Sequence, residues 1–510
     1  MPHRLDRKAI ALAALLLCAC AVGPDYRRPP VETPAAFKEQ PAGAERASAW
    51  KTAQPRDDAS RGRWWEIFSD PALNSLEEEV NISNQNLARA EAQYRQAEAL
   101  VQAARASYFP LIGATASMTR SRASSTTVAQ PSAVPVSRGV VTNYNLPLNL
   151  SWEADVWGRI RRTVESNVAS AQASAADIET ARLLAQAQLA QNYFQLRALD
   201  REKQLFDETI AAYERSLKLT QNQYRVGVAA KADVVQAETQ LRTAQAQAID
   251  LGVTRAQLEH AIAVLIGKPA SSFALPSAPL ADAPPAVPAS LPSELLERRP
   301  DIAGAERRMA SANAQIGVAK AAYFPALTLS AAAGYQTASF SQWFSAPSRF
   351  WSLGPAIALS LFDGGLRRAQ TAQAIAAYDA NVAAYRQAVL TGFQEVEDNL
   401  AALRILEQEA QAQAEAASLA EQSLVIVLNQ YKAGTVNYLN VTAAQASAFA
   451  SRRASVDILN RRMSASVLLI KALGGGWDAS ALAAREEDVR EPSRNSTAPV
   501  RKSLEPAARH

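Results

Sequence analysis

Histidine and cysteine, the residues best suited to ligation and to nucleophilic or acid–base chemistry, are scarce in this chain. There are three histidines, His3, His260 and His510, and two cysteines, Cys18 and Cys20. His3 stands in the N-terminal basic stretch, His510 ends the chain, and His260 is alone in a helical pattern, so no triad or metal set can be assembled around them. There is no Gly-x-Ser-x-Gly and no His-Glu-x-x-His, and Gly267-Lys268 is followed by proline, which excludes a phosphate loop. Neither an enzyme nor a metal or diffusible cofactor is expected. A disulfide between Cys18 and Cys20 would enclose one residue, and no other cysteine exists to build a scaffold.

Cys20 offers a different chemistry, attachment of lipid at a new N-terminus. Arg4, Arg7 and Lys8 form a basic region and Ala9 to Leu17 a short apolar one, too short to span a bilayer. A lipoprotein signal needs an aliphatic residue three before the cysteine and a small one directly before it. Leu17 and Ala19 satisfy this for Cys20, whereas Cys18 has Leu17 directly before it. Residue 21 is alanine, not aspartate, so nothing marks the mature protein for inner-membrane retention. The other reading of the same residues is plain signal cleavage leaving a free thiol. Two acyl chains anchor stably where one binds marginally.

The elements carrying this address form a duplicated pattern. Tyr108-Phe109-Pro110 recurs as Tyr323-Phe324-Pro325, and Gln223-Tyr224-Arg225-Val226-Gly227 as Gln430-Tyr431-Lys432-Ala433-Gly434. Gly158 to Gly227 encloses about 68 residues free of Gly and Pro, and Gly365 to Gly434 about 68 more with only Gly392 inside. Each predicts a helix of roughly 100 Å, followed after a turn by about 39 residues ending at Gly267 or Gly474. Leu183, Leu184, Leu189, Tyr193, Phe194, Leu196 and Leu199 fall at three- and four-residue steps, the seam of helices packed along their length. Lys268 to Pro292, rich in proline, reads as a linker between halves.

Four segments read as strands: about 108–119, 143–156, 323–336 and 351–362. The second alternates strictly, with Tyr144, Leu146, Leu148, Leu150 and Trp152 on one face and Asn143, Asn145, Asn149, Ser151 and Glu153 on the other. Each segment is long enough for a tilted membrane strand, and aromatic residues gather at the ends, with Tyr108, Trp157, Tyr323, Phe324 and Phe362 at one level and Trp343 and Trp351 at the other. Four strands cannot close a barrel, so spanning a membrane would force oligomerisation. The balance of 53 Lys and Arg against 49 Asp and Glu is too even for a nucleic-acid partner.

These residues carry a resemblance. Cys20-Ala-Val-Gly-Pro-Asp-Tyr26, Trp64-Trp65-Glu-Ile-Phe-Ser-Asp-Pro71, Leu291-Pro-Ser-Glu-Leu-Leu-Glu-Arg-Arg-Pro-Asp-Ile302, Leu361-Phe-Asp-Gly-Gly365 and Lys471-Ala-Leu-Gly-Gly-Gly-Trp477 are similar, in order, to the TolC-like outer-membrane efflux proteins of the OprM/NodT lipoprotein branch. The resemblance implies an α+β membrane protein: a homotrimer whose protomers each give four strands to a twelve-stranded outer-membrane barrel, continued by a periplasmic helical barrel with an internal two-fold repeat. It divides the chain into a signal peptide (1–19), a lipidated N-terminal segment and belt (20–70), a first repeat (71–267), the linker (268–292), a second repeat (293–475) and a tail (476–510). It implies a passive exit duct for small molecules in the outer membrane of a Gram-negative bacterium, working with a periplasmic adaptor and an RND-type inner-membrane transporter. The only implied non-protein group is the lipid on Cys20. Adaptor docking falls on the hairpin tips, Val226, Gly227 and Val228 in one half and Ala433, Gly434 and Thr435 in the other. The periplasmic gate falls on Asp233, its counterpart Asn440, and the nearby Tyr431 and Tyr438. Val436 stands where some relatives carry an acid, so an acidic constriction is not expected at that level. Two alternatives stay open at this point: a duct for type I protein secretion, and a coiled-coil envelope lipoprotein without a pore.

Overall fold

The computed structural model of the chain describes residues 22–34, 36–39, 63–122, 124, 139–281, 283–285 and 299–475. Cys20, the signal peptide, most of the Pro-rich linker and the tail lie outside these residues. A short 3-10 turn (Trp64–Phe68) precedes α1 (Pro71–Ser83) and α2 (Gln85–Ala106). The strands β1 (Leu111–Ala114), β2 (Ser117–Ser121) and β3 (Val141–Ala154) lead into α3 (Arg159–Arg225) and α4 (Lys231–Leu265). The second half repeats the order, with α5 (Pro300–Ala321), β4 (Ala326–Thr337), β5 (Arg349–Ala358), α6 (Leu366–Lys432) and α7 (Tyr438–Ala472). The two halves match in helix length: α2 and α5 have 22 residues, α3 and α6 have 67, and α4 and α7 have 35. Among the described residues no helix is long and apolar enough to cross a membrane.

Carboxylates set where the helices begin. Asp70 accepts from the backbone N–H of Ala72 at 2.9 Å and of Leu73 at 3.2 Å, with Pro71 at the first helical position. Asp155 accepts from Ile160 and Arg161 at 2.9 and 2.8 Å, and Asp363 accepts from Gly365 at 2.9 Å. These acids supply acceptors to N–H groups that have no intrahelical partner and lie at the positive end of the helix dipole.

The described residues form two compact units. One comprises residues 22–32, 90–174 and 304–388 and holds the sheet, an antiparallel meander in the order β1/β2, β3, β4, β5. β1 and β2 are two pieces of one strand, since Leu111 pairs with Ser151 and Ser117 with Asn145 in a single register. The break between them lies opposite a proline of β3. Thr115 donates to the carbonyl of Pro147 at 3.2 Å, but Pro147 has no N–H to return the bond. The strand expected over about 108–119 is therefore shorter at its start and interrupted, and the one expected over 351–362 runs Arg349–Ala358. Its end is set by β4, whose first residue, Ala326, pairs with Ala358 and leaves Phe362 with no strand partner. β3 and β4 run Val141–Ala154 and Ala326–Thr337, within about three residues of the expected 143–156 and 323–336. In the same unit the segment before the first helix lies across α3 and α5. Asn313 donates to the carbonyl of Pro24, Tyr26 donates to Glu306, and Arg162 pairs with Asp25.

The other unit, residues 33–89, 175–303 and 389–475, holds the largest apolar core. Trp64 and Trp65 are buried, Phe68 packs on Phe194 at 4.7 Å, and the Trp64 indole donates to Gln186 at 3.2 Å. Tyr193 donates to Asp70 at 2.6 Å, so the Trp64–Pro71 motif is at once a core plug and a helix cap. Of the expected seam, Leu189, Tyr193, Phe194 and Leu196 are buried, whereas Leu184 is half exposed. Arg299, from the motif ending at Ile302, is buried and binds Asp301, Glu395 and the carbonyl of Ala472, tying the start of α5 to α6 and α7.

Glu77 is fully buried in α1, and neither carboxylate oxygen has a hydrogen-bond partner among the described residues. Burial pushes its carboxyl well above the usual carboxylate range. Its proton is held more tightly folded than unfolded. Stability is therefore fully present below the unfolded value of about 4.3 and falls as pH rises towards the folded value. Glu77→Gln is expected to flatten this dependence and to raise the unfolding midpoint at pH 8 by roughly a few degrees. Thermal unfolding of both proteins at pH 5 and pH 8 checks it, and parallel curves would contradict it.

Candidate functional site

Both long hairpins reverse at a glycine. Gly227 has φ +80° and Gly434 φ +75°, and a Cβ built at either would meet nothing within 4 Å. Glycine is required there by backbone conformation, not by space. In the first turn Val228 N–H donates to the carbonyl of Gln223 at 2.8 Å, and in the second Thr435 N–H donates to that of Gln430 at 3.0 Å. Each is a six-to-one bond closing the helix end in a Schellman turn.

Beyond this shared backbone the tips differ. The first presents two exposed valines, Val226 at 75% and Val228 at 68%. In the second, Ala433, Gly434 and Thr435 are exposed, while Val436 packs inward. The caps of the returning helices are also exchanged. Asp233, third in α4, reaches back to the backbone N–H of Ala230 at 3.2 Å. In α7 the cap itself is Asn437, whose side chain accepts from Asn440 N–H at 3.3 Å. The side chain of Asn440 is exposed and outside the cluster described next.

Tyr431 and Tyr438 are buried against each other edge-on, with ring centroids 5.5 Å apart. Ala237 of α4, Val441 of α7 and Leu217 of α3 complete the packing. The Tyr431 hydroxyl donates to Thr220 at 3.2 Å, and that of Tyr438 to Ser216 at 3.5 Å. Burial pushes both phenols above their ordinary value, and the Asp233 carboxylate raises Tyr431 further, so both remain neutral. The cluster thus joins Tyr431 and Tyr438 and pins α6 and α7 to α3, with Asp233 acting on Tyr431 through its charge alone. Ser216 and Thr220 escaped the sequence reading. Their signal was the three- and four-residue spacing from Tyr213, which is buried on the same helix. Ion pairs between the hairpins stand further along α7, where Arg452 pairs with Glu208 and Arg453 with Glu202, and Arg452 also pairs with Glu421 within its own hairpin. His260 is exposed on α4.

The outer membrane efflux protein model matches residues 76–268 and 291–475, once over each half. The chain belongs to that family. It is 32% identical over 472 residues to the antibiotic efflux pump outer membrane protein ArpC of Pseudomonas putida, covering 92% of this chain and 95% of the relative. The same identity and coverage hold for the toluene efflux pump outer membrane protein TtgC of Pseudomonas putida. The solved structure of the outer-membrane channel OprN superposes with a TM-score of 0.80 at 31% identity, covering 90% of this chain and all of OprN. The fold is therefore the α+β fold of the trimeric TolC-like channels, and the chain is an outer-membrane channel component of an efflux pump.

Proposed function

We propose that three copies form a passive exit duct for small organic molecules, anchored by lipid on Cys20. The observation that carries this is the sheet, which has one apolar face and two edges, β1/β2 and β5, left open among the described residues. Open edges have no place in lipid, and pairing β5 of one copy with β1/β2 of the next closes twelve strands. The tips with Val226, Gly227 and Val228 and with Ala433, Gly434 and Thr435 receive a periplasmic adaptor, which joins the duct to a proton-driven RND-type transporter. Adaptor contacts favour the open mouth over the closed one, and this difference in affinity shifts the population. The Tyr431–Tyr438 cluster, with Asp233 beside it, restrains the closed form. No step requires an enzymatic site in this chain. Relatives named for antibiotic and toluene efflux support organic cargo over secreted protein.

The test is retention of a fluorescent dye and several antibiotics in a deletion strain complemented with wild type, Gly227→Val, Gly434→Val or both. Loss should raise retention and wild type should restore export. The tip variants should fail although they reach the outer membrane. Unchanged retention together with disappearance of secreted proteins from the medium would instead assign protein cargo. Labelling with a radioactive fatty acid tests the anchor, since Cys20→Ser should abolish incorporation.

A further inference from the structure

The strand region has an unusual charge content. From Phe109 to Trp152 and from Ala326 to Phe362 the chain carries four arginines, Arg120, Arg122, Arg138 and Arg349, and no Asp, Glu, Lys or His. No carboxylate within either segment can neutralise them. Pairing fixes the face from which two of them project. Arg120 lies opposite Thr142, and Arg349 opposite Tyr335, which itself lies opposite Leu146. Side chains at paired positions share a face and alternate along each strand. Arg120 and Arg349 therefore stand on the face of Leu146, Leu148, Leu150 and Trp152, not on the face of Asn145, Asn149 and Ser151. Both are exposed, as is Arg122 just past the end of β2.

An apolar sheet face is a costly place for an unneutralised arginine in mid-membrane, and the cost falls away at the interface. Aromatic residues mark that level here. Tyr144 contacts Phe340 at 5.5 Å and Trp343 at 5.3 Å, and Tyr335 contacts Phe344 at 5.5 Å. The β4–β5 connection thus folds over the same face at the end of the sheet remote from α3 and α6. Phe340 and Phe344 remain 68% and 66% exposed, as an interfacial ledge requires. Arg349, opposite Tyr335, adjoins this ledge, and Arg120 lies further towards the strand ends by about 13 Å at the usual rise per residue.

We propose that Arg120, Arg122 and Arg349 form a site for the phosphate groups of an anionic outer-leaflet glycolipid. This rests on the three-copy barrel, in which β5 of one copy adjoins β1/β2 of the next. There Arg349 and Arg120 of neighbouring copies come onto adjacent strands of the outward face. A guanidinium fork matches phosphate in a bidentate manner and is more readily desolvated than an ammonium, which accounts for arginine without lysine. The outward face commits the arginines to lipid and removes them from the path of cargo.

The full-length trimer, extracted and stripped of lipid, would be reloaded with bis-phosphorylated lipid A, dephosphorylated lipid A or phosphatidylglycerol, and bound lipid counted by native mass spectrometry. Wild type should retain the bis-phosphorylated form at least about tenfold over the dephosphorylated one. The combined Arg120→Gln, Arg122→Gln and Arg349→Gln variant should lose that preference, and the corresponding lysine variant should keep part of it. Equal retention of dephosphorylated lipid A by wild type, or an undiminished preference in the glutamine variant, would overturn the proposal. Phosphatidylglycerol held as tightly as lipid A would overturn the glycolipid assignment. Trimer content and dye export of the same variants separate this from failure of the duct reading, and the wild-type comparison needs no substitution.

Discussion

Gly334→Ala is expected to prevent assembly of the strand region, with little or no trimer recovered from the outer membrane. Gly334 lies opposite Pro147 within the β3–β4 pair. A Cβ built there would fall 2.0 Å from the carbonyl oxygen of Leu146 and 2.9 Å from Cα of Pro147. These are backbone atoms, so no rotamer change relieves the clash, and the central pair of the sheet must separate. Overpacking typically costs about 1–3 kcal/mol, and here it meets backbone that cannot give way, in the strand pair that links the two edges. Gly354 is the control. It lies in β5 and a Cβ there would meet nothing within 4 Å, so Gly354→Ala should change stability by only about 0.5 kcal/mol. Gel migration of unheated samples measures trimer content. Normal trimer from Gly334→Ala would refute the close approach of β3 and β4.

Replacing Tyr431 and Tyr438 together with alanine should make the duct leak. Both rings are buried, at 5% and 2% exposure, and each truncation removes packing on the order of 3–5 kcal/mol if the cavity does not collapse. It also takes the Tyr438 partner from the Ser216 hydroxyl, and an unpaired buried hydroxyl costs about 1–3 kcal/mol, whereas Thr220 keeps its bond to the Ser216 carbonyl. The cluster pins α6 and α7 to α3 beside the turns, so its loss should raise conductance in a planar bilayer without any adaptor. Cells should become sensitive to antibiotics too large for the intact outer membrane. The paired phenylalanine variant keeps the packing and loses only the hydroxyl bonds, about 1 kcal/mol each, and should leak far less. Alanine variants with normal trimer and wild-type conductance would remove the cluster from the gate. Asp233→Asn separates two roles, since asparagine still accepts from Ala230 N–H but no longer places a charge near Tyr431.

Much of this protein was legible without coordinates because the signals are local. Helix continuity depends on the absence of Gly and Pro over consecutive residues, and reversal at Gly227 and Gly434 depends on a single φ angle. Both follow from residue type at one position and its near neighbours. The duplicated spacing therefore placed the hairpins and their tips, and strict alternation from Asn143 placed β3.

Other features required residues far apart in sequence to be brought together. β1 and β2 are separated by the missing N–H of Pro147, some thirty residues away, and the end of β5 is set by where β4 begins. Trp64, Asp70 and Arg299 were recognisable as parts of motifs, but only packing assigns them partners in Gln186, Tyr193 and Glu395. The residues of the two tips already differed along the chain. Tertiary structure decided that Tyr431 and Tyr438, beside the second tip, are buried against α3, where Thr220 and Ser216 receive their hydroxyls. Local backbone preference determined where this chain turns. Burial and hydrogen bonding between distant residues decided what each turn holds.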